Sequence, residues 1–346
     1  VGGELKLGLN TGYWAGGPPP GVTESVAEAE RLGFDSIWTA EAYGSDCLTP
    51  LAWWGASTER IKLGTAIVQM SARQPAATAM AAMTMDHLSG GRFILGLGVS
   101  GPQVVEGWYG MPFAKPLART REYIAILRNV WARKGRLEAP GPHYPPLPDG
   151  TGLGKPLKSS IHPLREDIPI YLGAEGPKNI ALCAELCDGW LAMLFSPSVY
   201  DELYKPSLEE GWGREGARRS AADFEVCATV PLIVTDDLDA AADMLRPFYA
   251  LYFGGMGAKG ANFHANVPIR MGYEREVDEI QELYLSGKKD EAGAKIPRKL
   301  IEELSLIGPR EKIREDLAKW RESAVTTLLV SGDAATLRAA AELVLG

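Results

Sequence analysis

Residues Asp167–Trp190 read DIPIYLGAEGPKNIALCAELCDGW, and the pattern of this stretch decides the fold. Ile168, Pro169, Ile170, Tyr171 and Leu172 form a short apolar run bounded by turn residues, the pattern of a strand buried on both faces. Gly173-Ala174-Glu175-Gly176 follows, where minimal side chains let another molecule approach the backbone. Pro177 suits the first turn of a helix, because it has no amide hydrogen to leave unsatisfied there. Ile180, Cys183 and Cys187 then recur at helical spacing beside Leu182 and Leu186, giving an apolar face. Asp188-Gly189 closes the helix and Trp190–Leu194 opens the next apolar run. The turn of this strand–turn–helix–strand unit has two open readings. Its free helix amides hold a phosphate, or its small residues serve tight packing alone.

Outward from this unit the same alternation runs along the whole chain, the signature of a parallel sheet. Strands are expected at Leu5–Asn10, Asp35–Ala40, Ile61–Gln69, Phe93–Gly98, Ile168–Leu172, Trp190–Leu194, Phe224–Val234 and Thr326–Val330. Helices are expected at Thr23–Leu32, Thr49–Ser57, Pro75–Leu88, Leu117–Arg133, Leu238–Phe253, Pro309–Ser323 and Ala334–Leu345, with helical material around Val199–Glu210. Two stretches exceed ordinary connections: Gly135–Arg165, rich in proline and glycine, and Gly254–Leu306, mostly helical after a glycine-rich start. Eight strand–helix repeats point to an α/β fold, a (β/α)8 TIM barrel in one domain over residues 1–346, with insertions at about 135–165 and 254–306. A doubly wound sheet is the alternative. Both insertions are expected to cover the strand ends as lids.

The 346 residues are 46% hydrophobic and 23% charged, ample for a core. The net charge of −8 argues against nucleic acid as a partner, since phosphate neutralisation needs a basic surface. No apolar run approaches the roughly 18 residues of a membrane span, and no signal segment opens the chain, so a cytoplasmic location is expected. Cys183 and Cys187 are four apart on a buried helix face, neither a redox pair nor a zinc pair. His87, His143, His162 and His264 are dispersed, so no metal site is expected.

In a barrel, chemistry sits at the C-terminal ends of the strands. That rule selects Tyr13 and Trp14, Glu41 and Tyr43, Val68 to Ser71, Gly98 to Gly101, Gly173 to Gly176 and Leu194 to Ser196. The set lacks a nucleophile with a base beside it and a pair of carboxylates, which acyl transfer and glycoside hydrolysis require. Aromatics, small residues and one carboxylate suit a planar cofactor that carries its own chemistry. Gly96-Leu97-Gly98-Val99-Ser100-Gly101 matches GxGxxG, but Pro102 and a loop follow instead of the helix a dinucleotide fingerprint opens into. Asp86-His87-Leu88-Ser89 falls at the bottom of a barrel and reads as a structural helix end. Trp53-Trp54 and Trp108-Tyr109 read as core or subunit contact.

Several stretches together resemble the bacterial luciferase-like oxidoreductases, in the branch that uses the deazaflavin coenzyme F420. They are Gly33-Phe34-Asp35-Ser36-Ile37-Trp38 leading to Glu41, Lys62–Ile67 with Arg73-Gln74-Pro75, the Asp86–Phe93 turn, the Gly96–Ser100 strand end and the Gly173–Lys178 cradle. The resemblance implies a (β/α)8 barrel, hydride transfer between the deazaflavin and a small organic substrate, and a homodimer. It also implies a non-proline cis peptide between Ala66 and Ile67, pressed against one face of the ring. The cofactor would lie on Glu41, Ala66, Ile67, Gln69, Gly98, Ser100, Gly173, Ala174, Glu175, Gly176 and Lys178, its phosphate on Gly173–Gly176. Glu41, Tyr13 and Tyr43 are the expected catalytic residues, as proton donors beside the ring. Sugar-phosphate dehydrogenases of the family carry a His after the strand 2 acid, where this chain has Ala42. Alternatives are an FMN-dependent monooxygenase on the same scaffold and an F420-binding protein without turnover.

Overall fold

Short apolar runs become parallel strands here because the helix after each one covers its outer face and shields both sides from water. The computed structural model describes residues 3–137, 140–144, 151–257, 260 and 262–346. In chain order the strands are β1 (Lys6–Asn10), β2 (Ser36–Thr39), β3 (Lys62–Thr65), β4 (Val68–Gln69), β5 (Phe93–Gly98) and β6 (Ile170–Gly173). They continue with β7 (Gly189–Ala192), β8 (Glu225–Thr229), β9 (Leu232–Val234), β10 (Leu306–Gly308) and β11 (Thr327–Val330). Nine of these pair in parallel in the order β3-β2-β1-β11-β8-β7-β6-β5-β4, and β3 also pairs with β5, which closes the sheet. β3 and β4 are halves of one barrel strand, so the closed sheet is the expected (β/α)8 barrel rather than a doubly wound sheet.

The helices are α1 (Val22–Leu32), α2 (Leu48–Gly55), α3 (Pro75–Leu88), α4 (Pro102–Gly107), α5 (Pro116–Ala132), α6 (Pro177–Leu186), α7 (Tyr200–Leu203) and α8 (Lys205–Trp212). After β9 come α9 (Leu238–Ala250), α10 (Asn266–Arg270), α11 (Glu274–Leu285), α12 (Lys289–Ala294), α13 (Arg298–Glu303), α14 (Arg310–Glu322) and α15 (Ala334–Val344). Proline opens α3, α4, α5 and α6, where a missing amide hydrogen costs nothing. Gly33 ends α1 in the left-handed conformation, φ 82°, its amide donating to the Ala29 and Glu30 carbonyls.

The barrel interior is filled by Trp38, Ile94, Tyr171, Leu191, Cys227 and Leu329, with Ala66 and Ile67 packed on top. Trp38 and Tyr171 stack at 5.7 Å. They fit because facing positions carry no side chain: a Cβ on Gly64 would lie 2.3 Å from the Trp38 ring. Burying each aromatic ring stabilises the fold by roughly 2–3 kcal/mol. A second apolar cluster joins α9 to the helices of the second insertion through Tyr249, Phe253, Ile280, Leu300 and Ile301.

Several expected elements differ. The third strand is interrupted at Ala66–Ile67, whose peptide is cis, so the expected continuous strand Ile61–Gln69 is two pieces. The expected strand Phe224–Val234 divides at Val230-Pro231, because proline has no amide for the ladder. Its second part leaves the barrel as β9 and pairs in parallel with β10, a strand not expected from the sequence, which starts where the second insertion ends. The helix expected to reach Phe253 ends at Ala250 and continues as one π-helical turn, Leu251–Gly255. The GxGxxG stretch runs not into a loop but into the short α4, capped by Gly101.

The first insertion is not simply a lid. Residues 138–139 and 145–150 of it lie outside the described residues. Its end is tied to the bottom of the barrel: Arg165 Nε donates to Asp86 at 3.0 and 3.1 Å, and His87 Nε2 sits 2.8 Å from the His162 carbonyl. Asp86 and His87 are thus structural, as read from the sequence. Tyr144, by contrast, packs edge-on against Tyr123 at 5.6 Å on α5.

Candidate functional site

Strand register brings Gln69 opposite Gly98, Gly98 opposite Gly173, and Gly173 opposite Leu191, so these four form one row at the top of the barrel. The cis Ala66–Ile67 peptide lies just before this row. Both residues are half-buried over the lumen, leaving an apolar floor open at the strand ends. A Cβ on Gly98 would lie 2.5 Å from the Ile67 side chain, and one on Gly173 would lie 3.1 Å away. The missing side chains at 98 and 173 therefore make room for Ile67.

Gly176 is different. Its φ of −79° suits any residue and a Cβ there would meet nothing within 4 Å. It caps the N-terminus of α6, on which no side chain sits. Of the Gly173–Gly176 turn, this is the part that packing does not explain, and it leaves α6 open to an anion. Lys178, in the first turn of α6, is exposed. Ala174 is buried, its carbonyl accepting the Trp190 Nε1 hydrogen at 2.7 Å, which fixes the turn to the next strand. Ser100 is half-buried with φ 58° just past the strand end.

Glu41 is 5% exposed, and its carboxylate is already engaged. Oε2 accepts from Arg73 Nη1 at 2.7 Å and from the Gln69 amide at 3.0 Å, while the Gln69 side chain donates to the Glu41 carbonyl at 3.1 Å. Cys47 Sγ completes the set at 3.8 Å, and burial with the Glu41 charge pushes its thiol pKa far up. The carboxylate thus clamps the end of β2 to β4. Above it, Tyr109 donates to the Ala42 carbonyl at 3.1 Å, latching the loop after β5 over the loop after β2.

Tyr13, about half exposed, meets Tyr252 and Glu175 at the mouth, and Tyr43, more than half exposed, lies beside Tyr13 and Tyr252. Loss of hydration raises the Tyr13 pKa, its hydroxyl end lying among protein groups although much of the residue meets solvent. Tyr252 is 3% exposed and its hydroxyl is pushed far up, chiefly by burial and then by Tyr13. Glu175 Oε1 lies 2.6 Å from His264 Nδ1. Burial alone would lower the His264 pKa, but the Glu175 charge and hydrogen bond outweigh it and the net shift is upward. Glu175 Oε2, Gln69 Oε1, Asn179 Oδ1 and Ser196 Oγ are buried without a partner, all at or just beyond strand ends on this side.

Tyr252, His264 and the Arg73 clamp were not read as site residues from the sequence. Tyr252 looked like part of an apolar helix face, and His264 stood far from any other ionisable residue of the site. The glycine pair after Phe253 marked an irregular helix end, but not what that irregularity presents. Among the described residues no cluster of His, Cys, Asp and Glu is arranged to hold a metal ion. A depression of about 620 Å³ lies between Trp14 and Pro18–Pro20 after β1 and Trp53 and Trp54 of α2. Among the described residues lining it, Glu24 is the one acidic side chain, with none of the paired ionisable groups found beside Glu175 and Glu41.

A closed parallel barrel with an apolar, partly uncovered floor, orphaned polar groups and, among the described residues, no activated nucleophile at its strand ends defines an α/β-barrel enzyme built around a borrowed reactive group. Residues 8–327 match the luciferase-like monooxygenase family, and the chain belongs to it. A Mycobacterium tuberculosis protein named "Putative coenzyme F420-dependent oxidoreductase" is 57% identical over 98% of this chain and 99% of its own. The 5,10-methylenetetrahydromethanopterin reductase of Archaeoglobus fulgidus is 28% identical over 88% of this chain and 87% of its own. Among solved structures, the coenzyme F420 dependent tetrahydromethanopterin reductase from Methanopyrus kandleri superposes with a TM-score of 0.81, at 23% identity over 99% of each chain.

Proposed function

We propose that this protein is a coenzyme F420-dependent oxidoreductase, moving a hydride between the deazaflavin and a small organic substrate. The observation that carries the reading is the apolar Ala66–Ile67 floor, set in one row with Gln69, Gly98 and Gly173 and beside an uncapped helix N-terminus. The names of the relatives above support the same cofactor. A flat ring on Ala66 and Ile67 would pass Gly98, Ser100, Gly173 and Ala174, with its phosphate at the Gly176 amide near Lys178. Gln69, whose buried Oε1 lacks a donor, would meet the polar edge of the ring. When bound, the deazaflavin supplies the carbon that gives or takes the hydride. Glu41 holds the interrupted strand through Arg73 and the Gln69 amide, while Tyr13 and Tyr43 face the substrate.

Titration with coenzyme F420, followed by tryptophan fluorescence, tests the assignment: saturable quenching at micromolar cofactor is expected, and none would overturn it. FMN titrated alongside separates this reading from the flavin monooxygenase that the family's name favours. Oxidation of the reduced deazaflavin by candidate acceptors separates an enzyme from a carrier. We also propose one domain over residues 1–346, a homodimer and a cytoplasmic location. No described helix is long and apolar enough to cross a membrane, and Trp53, Met80 and Leu88 expose apolar surface. Light scattering giving the mass of two chains is the expected result, and a clean monomer would contradict it.

A further inference from the structure

Ala42 carries no titratable group, and the neighbouring Glu41 carboxylate is engaged by Arg73 Nη1 and the Gln69 amide. A different pair stands at the same mouth. Glu175, in the turn after β6, accepts from His264 Nδ1 at 2.6 Å. A carboxylate only accepts, so Nδ1 carries the hydrogen and the exchangeable edge of the ring is Nε2. No described residue hydrogen-bonds Nε2, and the ring keeps a quarter of its surface open. The other Glu175 oxygen is buried without a donor.

The protein holds this pair with an unusual piece of backbone. The π-helical turn Leu251–Gly255 frees the Tyr252 and Phe253 carbonyls, and Asn262 Nδ2 donates to both, at 2.8 and 3.0 Å. Asn262 Oδ1 in turn accepts from the His264 and Ala265 amides at 3.1 and 3.3 Å. Gln281 takes the Phe253 carbonyl as well, at 3.3 Å. One buried side chain thus sets Tyr252 and His264 together, their rings edge to face at 5.0 Å. π-turns concentrate at functional sites.

Resting on the deazaflavin reading of the site, we propose that His264 is its acid–base residue, with Glu175 as the positioning carboxylate, and that the substrate is a carbonyl or imine and the corresponding alcohol or amine. In the reducing direction the acceptor carbon gains the hydride, the π pair moves onto oxygen or nitrogen, and that atom takes the Nε2 proton. His264 is left neutral and regains a proton from solvent. In the oxidising direction Nε2 accepts the hydroxyl or amine proton as the carbon gives up its hydride. Among the described residues, the charge acting on His264 is that of Glu175. The phenols of Tyr13 and Tyr252, whose pKa values are raised by burial, lie beside that carboxylate.

The chain has four histidines, so imidazole NMR on nitrogen-15 histidine-labelled protein resolves His264 without cofactor or substrate. We expect it to titrate above the ordinary histidine range and to fall toward that range in Glu175→Gln. A His264 that titrates normally and ignores Glu175→Gln overturns the pairing. His264→Asn keeps a donor to Glu175 but removes Nε2. It should bind coenzyme F420 as the wild type does, by fluorescence, while oxidation of the reduced cofactor by a panel of ketones, aldehydes and cyclic imines falls about 10²–10⁴-fold. Equal turnover in His264→Asn, or no turnover of any panel member by the wild type, overturns the proposal. Failure of the wild type to bind the deazaflavin at all instead overturns the cofactor reading, and the NMR titration still decides the pair.

Discussion

At the scale of single residues, two glycines of the strand ends have opposite meanings. Gly98 is empty because Ile67 occupies its Cβ space, whereas Gly176 is empty with nothing beside it. Gly98→Ala should therefore overpack the top of the barrel, costing about 1–3 kcal/mol in urea unfolding. Gly176→Ala, at an N-cap where alanine is disfavoured but nothing is overpacked, should cost no more than about 1 kcal/mol in the same unfolding. If α6 receives the cofactor phosphate, it should still weaken coenzyme F420 binding about tenfold, or ~1.4 kcal/mol. Arg73→Ala strands the Glu41 carboxylate in a site only 5% exposed. Because it uncovers a buried charge, a loss of about 3 kcal/mol is expected in the same unfolding assay. The chain says where a side chain is missing, and only packing says what fills the space.

At the scale of elements, the helix starts and the apolar strand runs were legible because their signals are local: proline at a first turn, glycine at a last, and period-two or continuous apolarity between. The misread elements are those where a distant partner decides. β9 follows β8 in sequence, but Pro231 breaks the ladder and the free edge pairs with β10, more than seventy residues on. The turn at Leu251–Gly255 reads as helix because its apolar spacing stays helical, while its π geometry depends on Asn262 and Gln281. Asn262→Ala should therefore loosen a whole segment: faster amide hydrogen exchange is expected across residues 251–257 and 262–265, with exchange in β1, β5 and β6 unchanged. A cost of about 1–3 kcal/mol is expected for the buried carbonyls left unpaired. Uniform exchange at wild-type rates would mean that the turn is held by its apolar packing alone.

At the scale of the whole molecule, charge ties the helix ring together and sets how stability varies with pH. Glu185 on α6 bridges Arg121 of α5, the ion pair further drawn by Arg214 beyond α8, and these hydrogen bonds hold its carboxyl down to about 2. A carboxyl depressed in the folded state contributes stability that is fully present above about pH 4.5 and is lost as pH falls toward 2. Glu185→Gln should flatten that acid limb in pH-dependent thermal unfolding while changing little near neutrality beyond a constant offset. His264 carries the opposite sign: raised above 6.5 by Glu175, it contributes stability that is complete below that value and lost as pH rises through its folded pKa. Glu175→Gln should therefore flatten the alkaline side, and the two variants together should separate the contributions of the helix ring and the mouth.

The sequence by itself determined the repeating strand–helix order, the barrel that this order closes into, and the strand ends where chemistry belongs. These follow from short-range patterns of apolar residues and turn residues, which act over a few positions. The tertiary structure alone decided which ionisable groups face one another. Glu41 looked free and is clamped by Arg73, whereas Glu175 looked like a member of a phosphate cradle and is paired with His264, eighty-nine residues away. Electrostatic and hydrogen-bonding partners are set by distances of a few ångströms in space, and no spacing along the chain encodes them until barrel closure and the π-turn bring distant segments to one mouth.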